Sequence, residues 1–163
     1  MSDIYEFLKG HGIAYEKYEH PAVFTCEESE KLDQTLPGAN TKNLFLKDKK
    51  GRFFLVVVGH EKRVDVKALG KLLKTKDVSF ASPELLQELL HVEPGSVTLL
   101  GLKADTHNRV EVIIDEKIWN ADAIQCHPLV NTATLVISHE GIETFLRATN
   151  HEATVIDVPS RKE

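Results

Sequence analysis

Apolar and polar positions along this chain switch between a two-residue and a three-to-four-residue period, which predicts strands interspersed with helices. Asn43 to Lys47 and Arg52 to Val58 are predicted to form a hairpin that turns through Asp48-Lys49-Lys50-Gly51. Val56-Val57-Val58 is a continuous apolar run, typical of a central strand covered on both faces. Further strands are predicted over residues 15–19, 97–100, 110–114, 124–127, 132–138 and 154–158.

Helices are predicted where helical apolar spacing follows a capping residue. The first begins at Ser2 or Asp3, and later ones follow Thr25, Asp65, Ser82-Pro83 and Ser138. The pattern contains no internal repeat, Gly-rich phosphate loop or dinucleotide fingerprint. We therefore expect one α+β (mixed α/β) domain over residues 1–163, with a mixed sheet flanked by helices.

Composition places the chain among ordinary globular proteins. It has 163 residues, of which 42% are hydrophobic and 28% charged. No apolar run approaches the ~20 residues of a membrane span, so no membrane partner is expected. The start, Met1 to Glu6, lacks the pattern of a signal peptide. Cys26 and Cys126 form no metal-like or redox-like pair. A cytoplasmic location is expected.

Charge is distributed unevenly along the sequence. The net charge is −5, yet residues 42–76 contain eleven basic and three acidic residues, so this segment carries +8. Such asymmetry indicates a surface that meets phosphates, while the alternative is a solvated hairpin tip and helix face. The candidates for RNA contact are Lys47, Lys49, Lys50, Arg52, Lys62 and Arg63.

Three separated stretches carry candidate chemistry: Thr41 to Leu46, Pro94 to Thr98, and His127 to Thr134. The first places a lysine at the start of an apolar strand. The second is a Pro-Gly turn, whose open backbone amides can stabilise an oxyanion. The third places a histidine before a proline, which favours an extended backbone at the histidine. Together they supply a cation, amide donors and an imidazole.

In this order, the three stretches resemble the YbaK/ProX family of prolyl-tRNA editing domains, most closely its free-standing alanyl-tRNA(Pro) deacylases. The resemblance runs from about His20 to Val158. It implies a compact, partly barrel-like mixed sheet flanked by helices. It also implies hydrolysis of an aminoacyl ester by water, assisted by a hydroxyl of the tRNA's terminal ribose, without a metal or other cofactor.

The resemblance also implies roles for individual residues. Lys42, Gly95 and His127 would be catalytic: the lysine would hold the adenosine end, amides near the glycine the carbonyl, and the histidine the substrate or water. We expect the three to converge in space. The implied substrate-binding residues are Val23, Phe24, Thr25, Asn43, Pro94, Ser96, Pro128 and Asn131.

One departure from the family pattern and two alternative chemistries stay open. The family's turn usually reads Gly-x-x-Pro-Gly, and His91 replaces the first glycine here, which would narrow the pocket if that backbone approaches the substrate. Ser96 or Cys126 could act as a nucleophile, although neither lies in a nucleophile elbow. Zinc held by Cys26, Cys126 and His127 lacks a supporting motif.

Two functional hypotheses of different classes follow. The first is a trans-editing deacylase acting on mischarged tRNA(Pro), with alanyl-tRNA(Pro) ahead of the cysteinyl, seryl or threonyl esters. The second is a non-catalytic module that binds tRNA or a synthetase and regulates it. The expected partners are tRNA(Pro) and, as a second candidate, prolyl-tRNA synthetase; DNA is not expected.

Overall fold

The computed structural model describes residues 4–19, 37–93, 96–129 and 132–161. Its helices are α1 (Ile4–Gly10), α2 (Val66–Leu72), α3 (Pro83–Leu90), α4 (Glu116–Trp119) and α5 (His139–Ala148), and a 3₁₀ helix covers Leu99–Ala104. Its strands are β1 (Glu16–Glu19), β2 (Thr41–Lys47), β3 (Phe53–Gly59), β4 (Ser79–Phe80), β5 (Val110–Asp115), β6 (Ala123–Cys126), β7 (Ala133–Ser138) and β8 (Ala153–Ile156). No helix in these ranges is long and apolar enough to span a bilayer.

The strands form two sheets. The larger has the order β4-β2-β3-β5-β8, with β3 antiparallel to β2 and parallel to β5. The smaller has the order β1-β7-β6 and is antiparallel. A parallel bridge between Ala39 and Ile124 joins them. The predicted mixed α/β class is confirmed, although within the described ranges the strands do not close into a barrel.

Strand β3 lies at the centre of the larger sheet and separates two apolar cores. Leu55 and Val57 face the first core, which also contains residues of α1, α3, α5 and the smaller sheet. Val56 and Val58 face the second core, beneath α2. All four side chains are buried, which confirms the prediction of a central strand covered on both faces. The predicted hairpin is also confirmed, with Lys47 opposite Phe53.

Capping residues begin three helices where the sequence predicts them. The Asp65 carboxylate accepts from the Ala68 N–H at 3.0 Å. The Ser82 and Ser138 hydroxyls accept from amides three residues later. These bonds satisfy amide donors that have no partner within the helix. The helix predicted after Thr25 lies outside the described residues.

The strand predicted over residues 97–100 is wrong. Thr98 instead caps the 3₁₀ helix, because its hydroxyl accepts from the Leu100 N–H at 3.3 Å. Leu99, Leu100 and Leu102 are all buried in the first core. A short apolar run that is buried throughout has no periodicity by which a strand could be told from a helix.

Candidate functional site

The start of β2 directs neighbouring side chains to opposite faces of the larger sheet. Successive strand residues alternate between faces, so Lys42 shares a face with Leu44 and Leu46, and Asn43 shares the other with Phe45. Leu44 and Leu46 belong to the second core and Phe45 to the first. Lys42 and Asn43 therefore leave the same strand toward two different environments.

Lys42 lines a cavity of about 480 Å³ on the α2 side of the sheet. We call this the Lys42 cavity; its lining residues are Lys42, Leu44, Arg63, Val64, Asp65, Val66, Lys67, Phe80 and Arg161. Four of these residues are basic and one is acidic. The acidic one, Asp65, is already engaged as the cap of α2. The cavity is therefore an electropositive space suited to a phosphate or another anion.

The Asn43 face of β2 is fixed against strand β6. The Thr41 hydroxyl, on the same face as Asn43, donates to the Gln125 carbonyl at 2.8 Å. The Gln125 N–H donates to the Ala39 carbonyl at 3.0 Å, and the Gln125 side-chain amide donates to the Pro37 carbonyl at 3.2 Å. The segment before β2 thus holds the strand that ends one residue before His127.

Asn43 presents a buried hydrogen-bond acceptor on this face. Its Oδ1 atom is inaccessible to solvent and accepts no hydrogen bond from the residues that the structure describes. A buried carbonyl oxygen that accepts no hydrogen bond lowers the stability of the folded protein by about 1–3 kcal/mol. Such atoms are therefore rare, and a ligand or functional role is one explanation for them. A ligand donor would recover this energy only after the side chains that cover the atom move aside.

His127 lies directly after β6 and is half-buried. Its Nδ1 atom is 3.3 Å from the Ala133 carbonyl, at the start of β7. A carbonyl oxygen can only accept, so this contact favours the Nδ1–H tautomer and places the lone pair of the neutral ring on Nε2. After the buried Pro128, Leu129 has a φ of 72°. This left-handed backbone is unusual for leucine and typical of constrained turns at functional sites.

The Pro-Gly turn is described only from Ser96 onward. Ser96 is 9% exposed, and its N–H donates to the Glu93 carbonyl at 2.9 Å. Pro94, Gly95 and Asn131 lie outside the described residues, as does the predicted pocket segment over residues 23–25. The oxyanion role of Gly95 and its convergence with Lys42 and His127 therefore stay predictions.

The Cys126 thiol is unsuited to act as a nucleophile or zinc ligand. Burial raises its pKa to about 12, and the side chain lies in the first core. Nucleophilic attack and metal binding both require the thiolate, which is scarce at neutral pH when the pKa is this high. In the described ranges no three His, Cys, Asp or Glu side chains are placed to hold a metal ion.

Arg52 and Lys62, two of the six predicted RNA-contacting residues, form ion pairs shorter than 3 Å with acidic residues. The Arg52 guanidinium forms two hydrogen bonds of 2.8 Å with the Glu111 carboxylate, which raise its pKa. Lys62 is 15% exposed and bonds Asp115 at 2.9 Å and Asp157 at 3.3 Å. Burial lowers the pKa of Lys62, but these bonds outweigh it and the net shift is upward. Both cations therefore hold the fold together.

The other four candidates are the lysines at and before the hairpin turn and Arg63. Lys49 and Lys50 are exposed at the hairpin turn, and Lys49 lies 3.7 Å from Asp77. Lys47 is half-buried at the end of β2. Arg63 is exposed and lines the Lys42 cavity. Sequence reasoning missed Lys67, Phe80 and Arg161 as members of this cavity, because they lie far from Lys42 in the chain.

Comparison with known proteins identifies the class to which this fold and site correspond. The aminoacyl-tRNA editing domain family matches residues 20–145, which contain Lys42, Asn43 and His127. The chain therefore belongs to the aminoacyl-tRNA editing domain family, in agreement with the resemblance seen in the sequence.

Individual relatives support the same assignment. The chain is 38% identical over 156 residues to the prolyl-tRNA synthetase associated domain-containing protein 1 of Danio rerio, covering 94% of this chain and 85% of that protein. It is 35% identical over 147 residues to the prolyl-tRNA editing protein ProX of Acetoanaerobium sticklandii, covering 90% of each. A solved structure described as a candidate trans-editing enzyme for prolyl-tRNA synthetase superposes with a TM-score of 0.71 at 21% identity, covering 94% of this chain and 92% of that one. That structure supports the fold.

Proposed function

We propose that this protein is a trans-editing deacylase that hydrolyses the ester between a wrongly attached amino acid and tRNA(Pro), with alanyl-tRNA(Pro) as the first candidate substrate. Membership of the aminoacyl-tRNA editing domain family supports this proposal, as does a relative named for prolyl-tRNA editing. The observation that carries it is the start of β2, where a basic cavity at Lys42 and a buried acceptor at Asn43 lie on the two faces of one strand.

The two faces match the two ends of the ester substrate. The terminal nucleotide is anionic, and the Lys42 cavity supplies cations for its phosphate. The amino acid carries an α-ammonium group, which is a strong hydrogen-bond donor. In the proposal the phosphate is held by Lys42. The substrate displaces the side chains that cover Asn43 Oδ1, so that the α-ammonium group donates to this buried atom. Holding both ends in place fixes the ester between them.

Hydrolysis then requires only water at the ester carbonyl. Water adds to the carbonyl carbon and gives up a proton, and the oxyanion accepts hydrogen bonds from amides near Gly95. The C–O bond to the ribose then breaks as the ribose oxygen takes up a proton, which gives the free amino acid and tRNA. His127 Nε2 accepts a hydrogen bond from the attacking water or orients the ribose hydroxyl that assists it. A covalent intermediate at Cys126 is unfavourable, because burial raises the pKa of its thiol to about 12 and little thiolate is present at neutral pH.

Editing by a separate protein would correct errors that a proline-specific synthetase cannot prevent by the size of its own pocket. A synthetase pocket built for proline cannot strongly exclude a smaller apolar amino acid, because a missing methylene group changes binding by only about 1–3 kcal/mol. A second pocket can accept alanine and exclude the larger proline ring. The predicted pocket segment around Val23, Phe24 and Thr25 would supply that steric limit.

The test is release of labelled amino acid from alanyl-, cysteinyl-, seryl-, threonyl- and prolyl-tRNA(Pro). We expect rapid loss of one mischarged amino acid, sparing of prolyl-tRNA(Pro), and full activity in EDTA. Lys42→Ala, Asn43→Ala and His127→Ala should each lower the rate at least tenfold, whereas the exposed Lys9→Ala should not. Hydrolysis of prolyl-tRNA(Pro) as fast as the mischarged esters would contradict the proposal.

A regulatory binding module is the second candidate, because several relatives are named as domains associated with prolyl-tRNA synthetase. This protein would then bind tRNA(Pro) or the synthetase through its basic surface without cleaving an ester. Salt-sensitive binding of tRNA(Pro) without turnover of any of the five esters would favour it.

A further inference from the structure

The Lys42 cavity continues into a second cavity along helix α2. The second has a volume of about 530 Å³ and shares Val66 and Lys67 with the first. It adds Lys71 and Lys76 to the cations of the Lys42 cavity, with Asp77 as its acidic residue. Asp77 lies 3.7 Å from Lys49. The two cavities therefore form one electropositive groove, and each of its carboxylates already has a partner.

An exposed aromatic ring lies at this groove. Phe80, on the short strand β4, is 61% exposed and lines the Lys42 cavity. Its backbone position is fixed, because β4 pairs with β2 with Phe80 opposite Leu46, and the next amide, of Ala81, donates to the Phe45 carbonyl at 2.9 Å. The structure thus holds an apolar ring in water beside several cations.

Two arginines that are almost a hundred positions apart in the chain, Arg63 and Arg161, lie together at the cavity. The Arg161 N–H donates to the Arg63 carbonyl at 2.7 Å, and the Asp65 N–H donates to the Pro159 carbonyl at 2.8 Å. This short antiparallel bridge, with Val64 opposite Ser160, anchors both arginines at the cavity. Guanidinium groups bind phosphate oxygens in pairs and stack on planar rings.

From this arrangement we propose that Phe80 is a stacking platform for one unpaired base of the tRNA 3′ end that enters the Lys42 cavity, and that Arg63, Lys67 and Arg161 hold the neighbouring phosphates. The inference rests on the proposed function for the identity of the RNA. A ring flanked by cations is the arrangement by which proteins hold unstacked nucleotides. Duplex RNA keeps its bases stacked and offers no free base face to the ring. An acidic peptide would match the cations but would not explain the ring.

The test compares uncharged tRNA(Pro) with the same tRNA lacking its unpaired 3′ nucleotides, using fluorescence anisotropy. Removal of a stacking ring weakens binding of one base by about 5- to 150-fold. We therefore expect Phe80→Ala to weaken intact tRNA by a factor in this range and to leave binding of the trimmed tRNA unchanged. Leu72→Ala removes a comparably exposed apolar side chain that lines neither cavity and should change neither affinity.

The contribution of the basic side chains to tRNA binding is tested in the same assay, from the dependence of affinity on salt concentration. Arg161→Met and Lys67→Met should each weaken intact tRNA and reduce the slope of log affinity against log salt by about 0.7, the value for one phosphate contact on a single strand. Lys9→Met removes an exposed lysine on α1 and should leave the slope unchanged. A slope that falls as much for Lys9→Met would show non-specific attraction and overturn the proposal.

The deacylase proposal and the 3′-end proposal can be refuted independently, because binding is measured on uncharged tRNA, which has no ester to hydrolyse. An equal effect of Phe80→Ala on intact and trimmed tRNA, or no effect on either, overturns the 3′-end site even if deacylation is rapid. Competition by an acidic peptide, with trimmed tRNA binding as well as intact tRNA, also overturns it. If no ester is cleaved but the end-dependent loss with Phe80→Ala is observed, deacylation is refuted and the 3′-end site is supported.

Discussion

Replacement of Lys62 by methionine separates a structural role for this lysine from a role in RNA binding. Methionine keeps most of the buried aliphatic stem and removes the ammonium group. Asp115, which is 2% exposed, would then lose its 2.9 Å ion pair and keep the 3.0 Å bond from the Val158 N–H. The lysine's 2.7 Å bond to the Val158 carbonyl would also be lost.

The size of the effect follows from burial. Breaking one side of a buried ion pair costs about 3–5 kcal/mol. The remaining amide bond and the 15% exposure of Lys62 reduce this cost, so we expect about 2–4 kcal/mol. For a chain of this size each kcal/mol lowers Tm by about 2–4 °C, which gives a fall of about 4–16 °C.

The assay is urea unfolding followed by far-UV circular dichroism, together with the tRNA binding measurement. Lys49→Met is the matched control, because this lysine is 80% exposed and 3.7 Å from its partner; its midpoint should match that of the parent. Adding Asp115→Asn to Lys62→Met should restore part of the stability, because the buried charge is removed. Parent-like stability of Lys62→Met with weakened tRNA binding would refute the structural role.

Three further predictions concern buried groups. Burial raises the pKa of Asp48, but hydrogen bonds from Thr75, Arg52 and Lys50 outweigh it, so the net shift of the pKa is downward. The ionised Asp48 carboxylate therefore stabilises the folded protein above about pH 4, and this stabilisation is lost as pH falls through the pKa of the folded state. Thr75→Val should therefore cost about 1.5–3 kcal/mol at neutral pH and progressively less in acid; a gap independent of pH in urea titrations would contradict this. Gly141→Ala should cost about 1–3 kcal/mol by the same unfolding assay, since the new Cβ would lie 2.7 Å from Ile137 Cγ2; an unchanged midpoint would show that the helix shifts freely. In a Cys26→Ser background, Cys126 should react with a disulfide reagent at neutral pH only after unfolding, because burial raises its pKa to about 12; fast labelling of the folded protein would contradict this.

The elements that the sequence predicts correctly are those with a local cause. Asp65, Ser82 and Ser138 each cap a helix through bonds to amides three residues later, so the signal lies within one turn. The sequence predicts a strand over residues 97–100, whereas a 3₁₀ helix begins at Leu99. The prediction is wrong because Leu99, Leu100 and Leu102 are all buried, which removes the alternation that identifies a strand. Strand β4 and helix α4 are too short to produce a periodic signal.

The residues of the candidate site also fall into two groups, those with a local sequence signal and those placed by long-range contacts. Lys42, Asn43 and His127 are found from short motifs, because each lies at the end of a recognisable strand. Phe80 and Arg161 carry no motif, and only the pairing of β4 with β2 and the bridge from Val64 to Ser160 bring them to Lys42. Such long-range placement depends on topology, which a single sequence does not specify.

His91 shows a backbone reason for a glycine in the family's pattern. It ends α3 with a φ of 56° and a ψ of 39°, and its N–H donates to the Gln87 carbonyl at 3.2 Å. This left-handed conformation favours glycine, which has no Cβ to clash. The His91 side chain is exposed. Its predicted effect on the substrate pocket stays a prediction.

Strand β1 pairs with β7, which lies more than a hundred residues further along the chain: Glu16 is opposite Val136. During synthesis at about 5–20 residues per second, β1 is made roughly 6–24 seconds before its partner β7. Pairing the two strands then requires closure of a loop of more than a hundred residues, which is slow. The smaller sheet, on which β6 and therefore His127 depend, can thus be completed only after β7 has been synthesised, so a chain cut short before β7 would lack the partner of its first strand.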